Sequence, residues 1–230
     1  MLLDIVIPTK NRKEKLDNCL NSVFHSVKDN LVNIWLYFSI QEELDYYKAL
    51  FNNISNIHIE YLEFYRVPDF WNGHLQKTKA DAICYLNDDV ILFTDTIETI
   101  IREFGEKYPD YDGVMGLRQA NLPKDQTVEG AFGVIGRKYA ERFPEKQVFC
   151  PDYDRFFSDW ELWQYAKSIN RFYFCSIARI EHLHPLGNKA LEDDTHKDVR
   201  KWIKGDKKTF AIRKQRNLLW GDSFKLINKE

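Results

Sequence analysis

The sequence is poor in cysteine and has no long apolar run, and each shortage excludes a class of protein. The cysteines lie far apart and include no C-x-x-C pair; they are Cys19, Cys84, Cys150 and Cys175. Because neither a disulfide framework nor a cysteine metal site fits this spacing, all four are predicted to be buried free thiols. No apolar stretch is long enough to span a bilayer, and the N-terminus lacks the basic, apolar and small residues of a signal peptide. These absences predict a cytoplasmic protein without a transmembrane segment.

Charge of neither sign dominates the 230 residues, but the basic residues are unevenly placed. The net charge is −2, yet residues 197–216 hold nine Lys or Arg and two Asp, which leaves 24 basic and 33 acidic residues elsewhere. Such a segment is either a solvated helix end or a contact for a polyanion: a nucleotide pyrophosphate, nucleic acid or an anionic membrane. Hydrophobic residues (44%) and aromatic residues (15%) are plentiful, which predicts a globular protein with a ring-rich core or cleft.

Apolar strand-like runs alternate with helix-like segments through the first half. The predicted strands are 2–9, 32–40, 56–64 and 83–92, and the predicted helices are 10–27, 43–54, 72–82 and 95–109. This alternation predicts an α/β fold with a doubly wound, mostly parallel sheet flanked by helices, in a single domain. The second half is less regular, with strands at 112–119 and 171–185, a strand or loop leading into a helix over 128–144, and a helix at 158–170. A basic tail over 186–230 has room for two helices.

Two adjacent acids interrupt the apolar stretch AICYLNDDVIL at residues 82–92. Burying a carboxylate costs several kcal/mol unless a charge or hydrogen bonds compensate it. Either Asn87, Asp88 and Asp89 form a solvated turn, or the acids hold a hard cation such as Mg²⁺ or Mn²⁺. In doubly wound sheets, ligands bind at the carboxyl ends of the strands, which is where these acids are predicted to lie.

Two further groups could carry chemistry. His182 and His184 share one face of a predicted strand, so both could reach one metal, although ordinary structural histidines would show the same spacing. Asp159 and Glu161 lie among aromatic residues in FFSDWELW, where partial burial would raise a carboxylate pKa toward the range of a general base. A helix cap at Asp159 explains that residue equally well.

Taken in order, these motifs resemble the GT-A nucleotide-sugar glycosyltransferases of the family-2-like group, over about residues 3–185. The opening DIVIPTKNRKEKLDNCLNSV matches that family's apolar strand and P-T-x-N-R turn, and YLNDDV matches its divalent-metal motif with Asn in first place. SDWEL is similar to its general-base motif with Ser for the first Glu, and HLHP suits its late metal-binding histidine. The resemblance implies a nucleotide-sugar-binding half at 1–110, an acceptor and catalytic half at 111–185, and an extension or lid at 186–230.

The resemblance also implies roles for individual residues and a cofactor. A nucleotide-sugar donor would contact Pro8, Thr9, Asn11, Arg12, Asn72, Gly73 and Asp88. Asp89 would bind Mn²⁺ or Mg²⁺ together with His184 or His182. Asp159 would deprotonate the acceptor, with Glu161 as the second candidate. The family's base-recognising Asp after the second strand is replaced by Ser39, Gln41 or Glu42, so uracil is only the default base.

These roles describe a metal-dependent, inverting glycosyltransferase of the hexosyltransferase type. A glycan is the first choice of acceptor, and a hydroxymethylated base in phage DNA is the second, because the basic tail is interleaved with aromatic residues. A nucleotidyltransferase is the nearest rival, but PTKNRKEK lacks the glycine-rich phosphate loop that such an enzyme usually carries. A non-catalytic sugar- or nucleic-acid-binding domain is the other rival, and it would not need the acids of 88–89 and Asp159 together.

Overall fold

The computed structural model describes residues 1–28, 31–63, 66–122, 129–184 and 193–222. Within these ranges the chain forms eight strands, seven α-helices and one short 3-10 helix, Pro144–Lys146. The strands are β1 Leu3–Thr9, β2 Val32–Phe38, β3 Ile57–Tyr61, β4 Ala82–Tyr85, β5 Val90–Leu92, β6 Val114–Gln119, β7 Gly133–Gly136 and β8 Phe172–His182. The helices are α1 Lys13–Ser26, α2 Gln41–Leu50, α3 Val67–Lys77, α4 Thr96–Lys107, α5 Arg137–Ala140, α6 Ser158–Ser168 and α7 Asp194–Gln215.

All of the strands belong to one sheet, in the order β3-β2-β1-β4-β7-β6-β8-β5. The four N-terminal strands run parallel to one another, because each crossover helix returns the chain to the same edge. β7 is antiparallel to both of its neighbours, β5 is antiparallel to β8, and β6 pairs with β8 in parallel. The predicted α/β fold with a mostly parallel, helix-flanked sheet is confirmed.

The sheet is buried on both faces, as the strand β1 illustrates. Ile5 and Ile7 belong to the apolar cluster on the face covered by α1 and α4, whereas Val6 belongs to the cluster on the α3 face. The apolar positions of α1 recur at helical spacing, and Leu16, Cys19, Leu20 and Val23 are buried, whereas Phe24 is exposed. Aromatic side chains dominate the cluster on the α3 face, where Trp71 packs edge-on against Tyr85 at a ring distance of 5.7 Å. The high aromatic content therefore serves the core as well as the cleft.

Three boundaries differ from the predicted ones, each for a local reason. The strand predicted at 83–92 is two strands, separated by the turn that contains the two acids. The helix predicted at 72–82 spans Val67–Lys77 instead, because Pro68 and Asp69 favour its first turn. It ends before Thr78, whose hydroxyl bonds the buried carboxylate of Asp4. The tail, within the residues described, holds one long helix and not two.

The four cysteines are buried free thiols, as predicted. In the described ranges, every helix is too short or too polar to cross a bilayer.

Candidate active site

Two acids and a histidine meet where β1 and β4 end. Asp88 and Asp89 occupy the turn after β4, and the hydroxyl of Thr9, at the end of β1, donates to Asp88 at 2.9 Å. The pairing of β5 with β8 sets Val90 opposite His182, and the N–H of Leu183 donates to the carbonyl of Asp89 at 2.8 Å. This register places the imidazole of His182 beside the carboxylate of Asp89.

Arg12 is the cation that makes burial of the two acids tolerable. One guanidinium nitrogen, Nη1, donates to Asp88 at 3.0 Å and to Asp89 at 3.1 Å. The other, Nη2, donates to Asp193 at 3.1 Å. Buried charges are tolerated only where close ion pairs and hydrogen bonds offset the loss of water. Arg12 provides such contacts to Asp88 and Asp89, so the two acids do not form a solvated turn.

Helix α7 completes this cluster with residues that the sequence did not point to. Asp193 caps the helix by accepting from the N–H of His196 at 2.9 Å, and it also accepts from Lys15 Nζ at 2.7 Å. The Nε2 of His196 lies 3.0 Å from Arg12 Nη2 and 3.8 Å from the Oδ2 of Asp89. The D-x-x-H spacing indicates a capped helix start, but no local signal reveals a contact with Arg12, which is 181 residues from Asp193.

The acids differ in protonation behaviour because their partners differ. Burial raises the pKa of Asp88 to about 6, even with Arg12 beside it. Burial acts on Asp89 in the same direction, but His182 and Arg12 outweigh it and hold that pKa at about 2. Burial, with His182 and His196 adding to it, lowers the pKa of His184 to about 4, so this imidazole is neutral at neutral pH. A neutral imidazole next to an ionised carboxylate is a suitable pair of ligands for a transition metal.

Two buried polar atoms lie in ion-pair contact with each other, and neither has a well-aligned hydrogen bond to a described residue. They are the Oδ1 of Asp89 and the Nε2 of His182, which are 3.3 Å apart. The ring of His184 lies 5.1 Å from that of His182. The described residues contain no group of three or more His, Cys, Asp or Glu side chains arranged to hold a metal. The facing pair therefore fits a divalent ion that takes two ligands from these residues and the others from a phosphate-bearing ligand.

The cluster separates two adjoining cavities. The larger, of about 490 Å³, is lined by Pro8, Thr9, Arg12 and Asp88, four of the residues predicted to contact a nucleotide. The smaller, of about 240 Å³, is lined by Asp89, both predicted histidines and Asp159. The structure thus brings four of the seven predicted nucleotide residues, the predicted metal residues and Asp159 around two cavities that share part of their lining.

Asp159 lies at the first turn of α6 and faces the smaller cavity. Its Oδ1 accepts from the N–H of Trp160 at 2.9 Å, and no basic side chain among the described residues pairs with it. Burial raises its pKa to about 6. A carboxylate in this state can accept a proton near neutral pH.

Glu161 points away from the cleft, although it is only two residues further along α6. It is buried and accepts from Tyr153, from the backbone of Trp220 and twice from Arg213, at 2.6 and 2.9 Å. With its oxygens fully engaged, Glu161 anchors α7 to α6, and this arrangement leaves Asp159 as the acid available to a substrate.

Three residues predicted to contact the nucleotide lie elsewhere. Asn72 is buried and exchanges two hydrogen bonds with the backbone of Phe149, at 2.8 and 2.9 Å. Gly73 is on the exposed side of α3. Asn11 has φ 54° and donates its N–H to Glu43 at 3.1 Å, which shapes the turn that carries Arg12. None of the three lines either cavity.

Comparison with known proteins places this cleft in a family. The model of the family described as "Glycosyl transferase family 2" matches residues 4–187. Among solved structures, S. aureus TarS (residues 1–349) in complex with UDP-GlcNAc aligns at a TM-score of 0.57 and 12% identity, covering 86% of this chain and 64% of that chain. The mannosyltransferase PcManGT from Pyrobaculum calidifontis, in complex with GDP-Man and Mn²⁺, aligns at 0.62 and 10% identity, covering 79% and 56%. At these identities the likeness is one of fold, and this chain spans less than two thirds of either structure's length. No curated protein sequence matches the chain.

Proposed function

Because this chain belongs to glycosyltransferase family 2, we propose that it transfers a sugar from a nucleoside diphosphate donor, UDP-linked in the first instance, to an acceptor hydroxyl with inversion. The observation that carries the proposal is that Asp159 lines the same cavity as Arg12, Asp89 and the histidines of the cluster. The nucleoside would occupy the larger cavity, and the transferred sugar the smaller one.

Inversion follows because the site offers one general base and no carboxylate to act as a nucleophile. Asp159 can take the proton of the acceptor hydroxyl while that oxygen attacks the anomeric carbon from the side opposite the diphosphate. The bond from the anomeric carbon to the diphosphate breaks as the new bond to the acceptor oxygen forms. Besides Asp159, the carboxylate that lines the smaller cavity in the described residues is Asp89, which pairs with Arg12 and is assigned to the metal; with one base and no carboxylate nucleophile, the attack is a single displacement and the anomeric configuration is inverted.

A divalent cation, Mn²⁺ or Mg²⁺, fits the facing atoms of Asp89 and His182, with His184 next to them. When bound, it would supply positive charge to the leaving diphosphate. The charges of the contacting side chains favour such an ion, since in the described part of the chain the three carboxylates Asp88, Asp89 and Asp193 form ion pairs with two Lys or Arg side chains, Arg12 and Lys15. Manganese in the mannosyltransferase complex supports the same proposal.

The metal proposal is tested by titrating Mn²⁺ into the protein and following the paramagnetic signal of the free ion. His182→Ala and Asp89→Ala are expected to weaken Mn²⁺ binding at least tenfold, because each removes one of two facing ligands. His184→Ala weakens it only if that imidazole is also a ligand. Unchanged Mn²⁺ affinity in all three variants would contradict the assignment, and His25→Ala, on the exposed side of α1, is the matched control.

The transfer itself is tested by mass spectrometry after incubation with a panel of UDP- and GDP-sugars. Release of free sugar together with nucleoside diphosphate, in the absence of any acceptor, identifies a glycosyltransferase. Release of pyrophosphate would indicate a nucleotidyltransferase, and the absence of turnover with every donor would indicate a binding domain. Asp159→Asn is expected to reduce turnover by at least two orders of magnitude while it binds donor normally.

The acceptor we propose first is a glycan, and the second is a hydroxymethylated base in DNA. The observation that keeps DNA as the second candidate is the outer side of α7, where Lys204, Lys207, Lys208 and Lys214 are exposed. A row of exposed lysines beside a nucleotide cleft suits a polyanionic acceptor.

A further inference from the structure

The two cavities meet at a short stretch of wall that contains two arginines. The residues lining both cavities are Arg12, Val67, Trp71, Asn87, Arg155 and Thr195. Arg12 is already engaged by Asp88, Asp89 and Asp193. By contrast, no carboxylate in the described part of the chain forms an ion pair with Arg155. The junction therefore presents one guanidinium that is paired with three carboxylates, and a second, that of Arg155, which Asp88 and Asp89 attract only from beyond ion-pair distance.

The side chain of Arg155 reaches the solvent of the cleft, but its surroundings disfavour an isolated charge. Desolvation by the surrounding protein, with Arg12 adding to it, lowers its pKa. The other basic side chains of the cleft, Lys10, Arg66 and Lys201, line only the larger cavity. An anion at the junction would thus meet Arg155 first.

The group of a nucleotide-sugar that lies between nucleoside and sugar is its diphosphate. We propose that Arg155 binds this diphosphate and stabilises the negative charge that grows on it as the sugar leaves, an inference that rests on the proposed glycosyl transfer. The planar fork of a guanidinium matches phosphate oxygens, and a contact that strengthens as charge develops lowers the barrier as well as the dissociation constant.

A buried carboxylate holds the backbone that carries Arg155. Asp206, on α7, is buried and accepts three successive N–H groups, those of Asp154, Arg155 and Phe156, at 2.8, 2.9 and 2.8 Å. One turn further along α7, the ring of Phe210 stacks on that of Phe157 at 4.6 Å. These contacts hold a loop that would otherwise leave three backbone donors unsatisfied.

The same loop leads directly into α6 and its general base. Phe157 has φ 72°, a left-handed conformation that is unfavourable for a bulky residue and that needs support from its surroundings. Two residues later the chain reaches Asp159. Asp206 is accordingly a positioning residue, which acts on the donor through Arg155, and it lies outside residues 4–187 that the family shares.

The first test measures binding by calorimetry with UDP and GDP, each compared with its nucleoside. Arg155→Gln is expected to weaken diphosphate binding about 10- to 100-fold and to leave nucleoside binding unchanged, because a charge-assisted hydrogen bond is lost only with the phosphates. Arg155→Lys, which keeps the charge without the fork, should recover part of the loss. Arg102→Gln is the matched control, because Arg102 lies on the exposed side of α4 and pairs with Glu103.

The second test separates positioning from general stability by a double-mutant cycle. Asp206→Asn is expected to weaken UDP or GDP binding in the wild-type background, but to have no further effect on it once Arg155 is already Gln. Equal losses in both backgrounds would overturn the positioning role. Thermal melting of each variant checks folding, and Arg155→Gln alone decides the central proposal should Asp206→Asn not fold.

The results distinguish this inference from the function on which it rests. If the wild type releases sugar from a nucleotide donor and Arg155→Gln binds the nucleoside diphosphate equally well, the inference is wrong and glycosyl transfer stands. If the wild type neither binds UDP or GDP nor releases sugar from any donor, both are wrong.

Discussion

Asp159 combines burial with the lack of a cationic partner among the described residues, and both keep its pKa near 6. A general base must be ionised, so kcat is expected to rise about tenfold per pH unit below pH 6 and to level off above it. Steady-state rates at saturating donor from pH 4.5 to 8 test this. A profile that stays flat through pH 6 would assign the base to another group.

The variant Asp159→Asn separates catalysis from folding. Because the folded state favours the protonated carboxyl, ionisation of Asp159 above pH 6 opposes folding, and the neutral amide removes that cost. Turnover is therefore expected to fall at least a hundredfold while the melting temperature at pH 7 stays equal or rises. A lower melting temperature would mean that lost activity reports lost structure.

Glu161→Gln should show the opposite behaviour. The change breaks a buried charge pair with Arg213, which costs on the order of 3 kcal/mol in unfolding free energy. We expect a lower urea midpoint, with kcat per folded molecule reduced less than tenfold. Loss of activity in Glu161→Gln without loss of stability, together with full activity in Asp159→Asn, would move the base by two residues.

At the level of strands and helices, one close backbone approach allows a sharp stability test. A Cβ on Gly116 of β6 would lie 1.7 Å from the carbonyl oxygen of Glu129, an atom that cannot move aside. Gly116→Ala is expected to destabilise the fold by about 1–3 kcal/mol in chemical denaturation. Gly105→Ala is the matched control, because Gly105 lies in α4 with no atom within 4 Å of the added carbon. That control should stabilise the protein by up to about 1 kcal/mol. Equal midpoints for both variants would contradict the assigned strand packing.

The strands and helices of the N-terminal half could be predicted from the sequence, whereas the long-range contacts of α7 could not. Strand periodicity and the alternation of elements were sufficient for the parallel half of the sheet and for placing the NDD turn at the carboxyl ends of its strands, because these depend on local pattern, whereas the antiparallel pairing of β5 and β7 was not predicted. The contacts of Asp193 and His196 with Arg12, and of Asp206 with the Arg155 loop, could not be predicted. They depend on how α7 packs against segments 50 to 181 residues away, and side-chain pairing at that separation leaves no local pattern.

At the scale of the whole molecule, the two proposed acceptors predict different effects of salt on binding at the basic side of α7. If it holds DNA, binding should fall steeply with salt, since about four phosphate contacts lose roughly two orders of magnitude over a sixfold salt increase. A gel shift with duplex DNA at low and physiological salt tests this. Reversing the charge at Lys207 and Lys208 should weaken the shift and acceptor use more than donor hydrolysis. No shift at low salt by wild type or variant would remove DNA and leave a glycan as acceptor.

The path of α7 also has a consequence for the order in which the protein matures. Its contacts join Arg12, near the beginning of the chain, to Asp193, and the 154–156 loop to Asp206. During synthesis the N-terminal segments emerge first, and contacts between distant segments form late. The central sheet strands can therefore pair while the cleft still lacks one wall. Competence to hold a nucleotide therefore arises only after α7 has been synthesised and has packed against these segments.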